Sequence, residues 1–163
     1  MKIPVTINGK KTILDADPSE KLITVLRRQN LYSVKCGCME GHCGNCMILL
    51  NDEPVSSCKI PAGITRDTEI ITMEYFKTLP IYKDIIIGFN KASIHLCGYC
   101  TSGKIFTAYG IIKKYYHPEI DQIKQAIKGL DYCCVDKETF INGILYSIAE
   151  KHSREGKPNN AAK

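Results

Sequence analysis

Four cysteines with a distinctive spacing dominate the chemistry that this chain could perform. Cys38, Cys43 and Cys46 form a C-x4-C-x2-C run, and a fourth thiol follows at Cys58. This is the plant-type spacing of a [2Fe–2S] cluster, whose two irons need four thiolates from a tight loop. Glycines at 37, 41 and 44 suit such a loop, because a backbone that wraps a cluster needs positive φ angles and a close approach to sulfur. The spacing therefore predicts electron transfer at this loop.

Other thiol chemistries explain the pattern less well. Structural zinc sites usually pair their ligands in C-x2 to 4-C knuckles, whereas three cysteines fall within residues 38–46 here. Disulfides need an oxidising compartment, and the opening MKIPVTINGK has no apolar signal-peptide core. The chain has nine cysteines, an odd number that cannot all pair internally. Zinc and disulfides stay as minor alternatives, and we expect a cytoplasmic protein.

Composition favours a globular chain that binds neither nucleic acid nor membrane. The 163 residues are enough for one ordinary domain or two small ones. The net charge of +5 is spread along the sequence, without the dense Lys/Arg stripe of a nucleic-acid-binding surface. No apolar run is long enough to cross a bilayer.

The first half of the chain has the pattern of a small sheet packed on one helix. Asn8-Gly9 lies between alternating apolar residues, which predicts a tight hairpin. Asp17, followed by Pro18, resembles the start of a helix of about ten residues. A second hairpin across residues 51–54 would return Cys58 to the thiol loop, and a last strand is expected at about residues 69–73. Together these elements predict an α+β fold.

Helical periodicity replaces the strand pattern beyond Pro80. Four helices are predicted at about residues 81–94, 104–115, 119–128 and 137–151, and four short helices imply a bundle. Asp136 is placed to cap the last one. We therefore divide the chain into a first domain at residues 1–76, a helical domain at 77–151 and a polar C-terminal tail at 152–163.

A second thiol motif makes a family resemblance visible. Cys97-Gly98-Tyr99-Cys100 before a helix could be a thiol-disulfide redox motif, but no βαβ unit precedes it. Together, Gly37-Cys38-x2-Gly41-x-Cys43-Gly44-x-Cys46, Pro54-Val55-x2-Cys58 and Cys97-Gly98-Tyr99-Cys100-Thr101-x-Gly103 resemble the two iron–sulfur motifs of the molybdenum hydroxylases. That family includes xanthine dehydrogenase and aldehyde oxidoreductase, and the resemblance runs from about residue 3 to about residue 149.

The resemblance implies a specific architecture and role. A β-grasp, ferredoxin-like domain would carry one [2Fe–2S] cluster and a four-helix bundle domain would carry a second. A molybdopterin-binding large subunit and an FAD-binding subunit would be partners, with the small subunit relaying electrons between them and the substrate site on the partner chain. The alternative is a stand-alone one-cluster ferredoxin or redox-sensing protein with a degenerate second site.

The last family motif, Gly-Asn-Leu-Cys-x-Cys, is altered here. Without a gap from Gly129, Cys134 takes the position of the second ligand, Tyr132 that of the first, and Cys133 lies between them. Three outcomes stay open for the second cluster of Cys97, Cys100, Cys133 and Cys134: Cys133 substitutes after a local shift, the cluster is absent, or the Tyr132 phenolate completes it. Leu96 also replaces the glutamine usual in the family. The remaining thiol, Cys36, is predicted not to be a ligand, and His42 to face solvent.

Overall fold

The computed structural model describes residues 1–130 and 133–156, and places a mixed sheet before a set of helices. The strands are β1 (Lys2–Ile7), β2 (Lys10–Asp15), β3 (Met47–Leu50), β4 (Glu53–Ser56) and β5 (Glu69–Ile71). The helices are α1 (Leu22–Arg28), α2 (Met73–Phe76), α3 (Pro80–Lys91), α4 (Thr101–Lys114), α5 (Ile120–Ala126) and α6 (Lys137–Arg154). Two short 3₁₀ turns, Ser57–Lys59 and Ala62–Thr65, follow β4. The predicted α+β class is confirmed.

The five strands form one sheet in the order β2-β1-β5-β3-β4. The strands β1 and β2 pair antiparallel across the predicted hairpin, where Asn8 and Gly9 have φ of 51° and 79°. The strand β5 runs parallel to β1 and antiparallel to β3, and β4 pairs antiparallel with β3. The β3–β4 hairpin carries the chain back toward the thiol loop, so that Cys58 follows directly after β4.

Two hydrophobic cores meet at the sheet. One contains α1 and the sheet face that includes Ile48, and the other is formed mainly by the helices after residue 72. Leu49, the next residue of β3, belongs to the helical core together with Met73 and Phe76. Because side chains alternate along a strand, β3 contributes to both cores at once.

The first helix begins later than its sequence pattern predicts. Asp17 does not cap it, because the Asp17 carboxylate accepts the Ser19 N–H at 2.8 Å in a local turn. Lys21 instead bridges Pro61, and the Leu22 N–H donates to the Ile60 carbonyl at 2.8 Å. This pairing holds the chain extended up to Lys21, so α1 has seven residues.

The last helix begins as predicted and ends later. Asp136 caps it by accepting the Thr139 N–H at 2.9 Å, which confirms the cap. The helix continues past the predicted end at Lys151 as far as Arg154, whose guanidinium binds the buried Asp84 carboxylate of α3 at 2.8 Å. Within the described residues, no helix is long and apolar enough to cross a membrane.

Candidate iron–sulfur sites

The thiol loop places Cys38 and Cys43 against each other. The Cys38 N–H donates to the Cys43 sulfur at 3.4 Å. The Cys38 sulfur in turn accepts the N–H groups of Glu40, His42 and Cys43 at 3.3 to 3.4 Å. These donors, led by Cys43 and Glu40, lower the pKa of Cys38 to about 6. The loop backbone therefore stabilises negative charge on sulfur, as a thiolate ligand requires.

Cys46 and Cys58 form the buried half of the same site. They are 3% and 2% exposed. Burial, followed by the neighbouring Cys46 thiol, raises the pKa of Cys58 to about 11, while the Gly41 N–H opposes that shift. Ser57 fixes this half, because its N–H and its hydroxyl both donate to the Cys46 carbonyl, at 3.2 and 2.7 Å.

The glycines of the loop leave room that a side chain would fill. A Cβ on Gly37 would lie 2.5 Å from the Cys43 sulfur and 2.8 Å from the Asn45 amide nitrogen. Gly41 has a φ of 85°, a conformation that other residues rarely adopt, and the Lys59 side chain lies against it. A loop that needs glycine beside its sulfurs, with N–H groups aimed at those sulfurs, fits the donor set of a [2Fe–2S] cluster.

Two further residues of this loop have exposed side chains, which confirms the predicted exposure of His42. Cys36 is exposed, and its carbonyl accepts a hydrogen bond from the Tyr99 hydroxyl. His42 has a side chain 66% exposed, with Nε2 at 3.5 Å from the Glu40 carboxylate. Neither contact involves the four sulfurs of the loop.

The second set of thiols gathers at the start of α4 and just before α6. The sulfurs of Cys97, Cys100, Cys133 and Cys134 all lie within 4.8 Å of one another. The Cys100 sulfur is 3.9 Å from that of Cys97 and 3.3 Å from that of Cys134, and the two adjacent thiols are 3.5 Å apart. Cys100 is buried, whereas Cys97 and Cys133 are exposed. Four converging thiolates are a donor set that both iron–sulfur clusters and zinc accept.

The environment shifts the pKa values of Cys97 and Cys100 in opposite directions. A hydrogen bond from Cys134, followed by the backbone N–H groups of Cys100 and Tyr99, lowers the pKa of Cys97 to about 6. Burial raises the pKa of Cys100 well above its ordinary value, and the nearby Cys134 and Cys133 thiols add to that rise. The pKa values of the Cys38–Cys43 pair are displaced in the same two directions, with that of Cys38 lowered and burial raising that of Cys43.

The altered last motif brings two adjacent thiols to the second site. Cys134, and Cys133 beside it, reach the Cys97–Cys100 pair together. Tyr132, the third candidate ligand, lies outside the described residues. Leu96 is half-buried and packs against the helical core.

Sequence reasoning missed the contacts that join the two thiol loops. Gly44 of the first loop touches Gly103 of α4, and Lys35 and Tyr99 cross between the loops. It also missed Lys104, a buried lysine one turn after Cys100 with Nζ 5.5 Å from the centre of the Phe140 ring. The sequence signal for the first of these contacts is glycine at both 44 and 103.

A ferredoxin-like sheet with one four-thiol site, followed by helices with another, defines an iron–sulfur electron-transfer protein. Residues 5–71 match the family described as the 2Fe-2S iron-sulfur cluster binding domain. The chain is 34% identical to the nicotinate dehydrogenase small FeS subunit of Eubacterium barkeri over 128 residues, which is 78% of this chain and 82% of that one. It is 30% identical to the xanthine dehydrogenase iron-sulfur-binding subunit of Escherichia coli O157:H7 over 145 residues, 88% of this chain and 91% of that one.

A solved structure agrees with these relatives. Quinoline 2-oxidoreductase from Pseudomonas putida 86 has a chain with a TM-score of 0.82 and 30% identity, and the match covers 97% of this chain and 98% of that chain. The chain therefore belongs to the family of small iron–sulfur subunits of the xanthine dehydrogenase-type molybdenum hydroxylases. It is an electron-transfer subunit of an oxidoreductase.

Proposed function

We propose that this subunit holds two [2Fe–2S] clusters and passes electrons between a molybdopterin-binding large subunit and an FAD-binding subunit. The first cluster is held by Cys38, Cys43, Cys46 and Cys58, and the second by Cys97, Cys100, Cys133 and Cys134. The observation that carries the proposal is the convergence of the sulfurs of Cys97, Cys100, Cys133 and Cys134 within 4.8 Å of one another. The first loop adds a second group, in which the Cys38 N–H contacts the Cys43 sulfur and Cys58 lies beside Cys46.

When bound, each cluster supplies a group that can hold one electron. The chain's own residues decide how readily it does so. The N–H groups of Glu40, His42 and Cys43 all point at the Cys38 sulfur, and such hydrogen bonds stabilise added negative charge. Hydrogen bonds to the sulfurs and solvent exposure are the main means by which a protein sets a cluster potential.

Each thiol set has one buried and one exposed side, which suits a relay between two partners. Cys38 is exposed while Cys46 and Cys58 are buried. In the second set, Cys97 and Cys133 are exposed while Cys100 is buried. The surface beside that set includes Tyr99, which is 50% exposed. A half-exposed aromatic ring beside exposed thiols suits contact with a partner chain, because aromatic residues are enriched in protein interfaces.

We also propose a domain boundary near residue 76 and a cytoplasmic location. The two hydrophobic cores support a boundary near residue 76, although Met73 and Phe76 pack on the helical side. A cytoplasmic location agrees with thiolate ligands, because reducing compartments keep cysteines from forming disulfides.

A second candidate is favoured by the compactness of the helical thiol set. For metal–sulfur bonds of about 2.3 Å, the edges of a tetrahedron around one ion are about 3.8 Å long. The observed separations of 3.3, 3.5 and 3.9 Å lie close to that length, and two irons would spread the sulfurs further. In this case the helices hold a single zinc or iron ion, and the chain is a one-cluster protein.

Metal analysis of the purified full chain separates the two candidates. The proposed relay predicts about four irons per chain, with two distinct rhombic EPR signals after reduction. The second candidate predicts about two irons plus one further ion, with a single [2Fe–2S] signal. Co-purification with a stoichiometric molybdopterin-containing chain would support the relay, and a chain that purifies without such a partner would argue for a stand-alone protein.

A further inference from the structure

We propose that Gly44, Gly103, Lys35 and Tyr99 are positioning residues that lock the two thiol loops together and set the separation across which electrons pass between them. The inference rests on the proposed function, because it assumes a redox cluster in each loop. The contacts themselves involve only described residues of this chain.

The centre of the lock is a contact between two glycines. A Cβ on Gly44 would lie 3.1 Å from the Gly103 Cα. A Cβ on Gly103 would lie 2.9 Å from the Gly44 carbonyl oxygen and 3.0 Å from its Cα. Both sides of this contact are backbone, so neither can give way by rotating a side chain. Glycine at both positions therefore allows a closer approach of these two backbone segments than any other residue would.

Each glycine belongs to a thiol loop. Gly44 directly follows Cys43, and Gly103 lies in the first turn of α4, three residues after Cys100. Gly44 also has a φ of 72°, which favours glycine for a second reason. This backbone contact is therefore a direct connection through the protein between the two thiol loops. Because electron tunnelling weakens steeply with distance, a separation at this point would slow transfer.

Side chains close the lock on the exposed side. The Lys35 ammonium, from the first loop, donates to the carbonyl of Gly98 and lies 5.9 Å from the centre of the Tyr99 ring. The Tyr99 hydroxyl donates in the opposite direction, to the Cys36 carbonyl. The Ser102 hydroxyl adds a third link by donating to the Ser33 carbonyl at 3.3 Å.

Lys35 also places a positive charge between two sites that become anionic. Its backbone belongs to the first loop, through a Lys35 N–H bond to the Asn45 carbonyl at 3.1 Å, and its ammonium reaches the loop between Cys97 and Cys100. A cation there stabilises the added electron at either site. Loss of this charge should therefore lower the reduction potentials as well as loosen the contact.

The test uses the iron-loaded full chain and its Gly103→Ala variant. Real Cβ atoms essentially never show contacts under 3.0 Å, so the two backbones must move apart in the variant to relieve the 2.9 Å approach. We expect both clusters to remain, while the magnetic coupling between the two reduced clusters weakens, since dipolar coupling falls with the inverse cube of distance. Gly110→Ala is the matched control: it lies on the same helix, and its Cβ would meet only the Pro54 side chain, at 2.9 Å.

Three further variants keep the inference testable if Gly103→Ala does not fold. Lys35→Met should lower the potential measured by redox titration and weaken the magnetic coupling, and Lys35→Arg should restore both. Tyr99→Phe should weaken the coupling with a smaller effect on potential, because it removes a donor and leaves the charge.

The outcomes separate this inference from the proposed function. Four irons per chain with unchanged coupling in Gly103→Ala, Lys35→Met and Tyr99→Phe would overturn the lock while leaving the two-cluster relay intact. A chain with two irons would overturn the relay, and the lock would lose its electron-transfer role with it. Weakened coupling in these variants and normal coupling in Gly110→Ala would support both.

Discussion

Gly88 of α3 and Ser147 of α6 touch through their backbones. A Cβ on Gly88 would lie 2.3 Å from the Ser147 nitrogen and 2.5 Å from its Cα. The Ser147 hydroxyl donates to the Gly143 carbonyl at 2.7 Å, and its oxygen lies 3.3 Å from the Ile85 carbonyl of α3, where the two helices cross. The packing of these two helices also bears on the second thiol set, because α6 begins shortly after Cys133 and Cys134.

Gly88→Ala should destabilise the protein strongly. The added methyl group collides with the backbone of a packed helix, so α3 and α6 must separate, at a cost of about 3 kcal/mol. For a chain of this length the thermal midpoint would fall by roughly 10 °C, measured by calorimetry with the metal content held equal.

Gly143→Ala is the comparison for that experiment. Its Cβ would lie 2.5 Å from the end of the Ile94 side chain and 3.1 Å from the Phe89 ring, so side chains rather than backbone must move. The cost should be smaller than for Gly88→Ala, since alanine is also the better helix former. Equal losses for both variants would contradict the backbone collision proposed for Gly88.

Cys58→Ser should remove the first cluster, and Cys36→Ser should not. Cys58 is buried beside Cys46 and its serine replacement is a hard, neutral donor, so about two irons per chain should be lost. Cys36 is exposed and holds the other loop through its carbonyl, which a serine keeps. Iron analysis and visible absorbance measure both variants, and a loss of iron from Cys36→Ser would show that Cys36 is a ligand.

Single substitutions can establish which residues complete the second site. Cys134 lies 3.3 Å from the Cys100 sulfur and Cys133 lies 3.5 Å from Cys134, so Cys134→Ser and Cys133→Ser should each abolish the second EPR signal. Tyr132→Phe should preserve that signal. The opposite result, with Cys133→Ser silent and Tyr132→Phe damaging, would instead assign the phenolate as the fourth ligand.

Glu74 should make the start of the first thiol loop sensitive to acid. Its carboxylate accepts the Ser33 N–H at 2.8 Å and the hydroxyls of Ser33 and Thr72. Burial raises the pKa of Glu74, but these hydrogen bonds, with Ser33 first, outweigh burial and lower it below its ordinary 4.5. The folded protein therefore binds this proton less readily than the unfolded chain, so the stabilisation is present above pH 4.5 and is lost as the pH falls below it.

Glu74→Gln tests this dependence. At pH 7 the variant should be less stable by about 1 kcal/mol, because a neutral amide is a weaker acceptor. The difference from the wild-type chain should shrink on acidification below about pH 4, as measured by urea unfolding across a pH series. A difference that stays constant with pH would rule out the carboxylate as its source.

Turn and capping residues in the sequence correctly predicted the elements whose contacts lie within a few residues of one another. The Asn8-Gly9 hairpin and the Asp136 cap each follow from residues within one turn of each other. The start of α1 was wrong because Lys21 and Leu22 pair with residues near Pro61, a contact that no local pattern reveals. The meeting of Gly44 with Gly103 is of the same kind, since only the packed fold brings these two loops together.

The altered last motif marks the other limit of sequence reasoning. Pattern alone left Tyr132, Cys133 and Cys134 as alternatives, because a shift of one residue changes where a side chain points. The fold gathers Cys133 and Cys134 with Cys97 and Cys100, a contact between distant parts of the chain that the residue order alone does not reveal.

The position of β3 between the two hydrophobic cores has an evolutionary consequence for this subunit. Ile48 belongs to one hydrophobic core and Leu49 to the other. Removal of the helical part would therefore expose a hydrophobic surface that includes Leu49, Met73 and Phe76. Recombination that swapped the ferredoxin-like part for a free-standing ferredoxin would have to redesign that surface. The two halves are therefore expected to be inherited, and to change, as one unit.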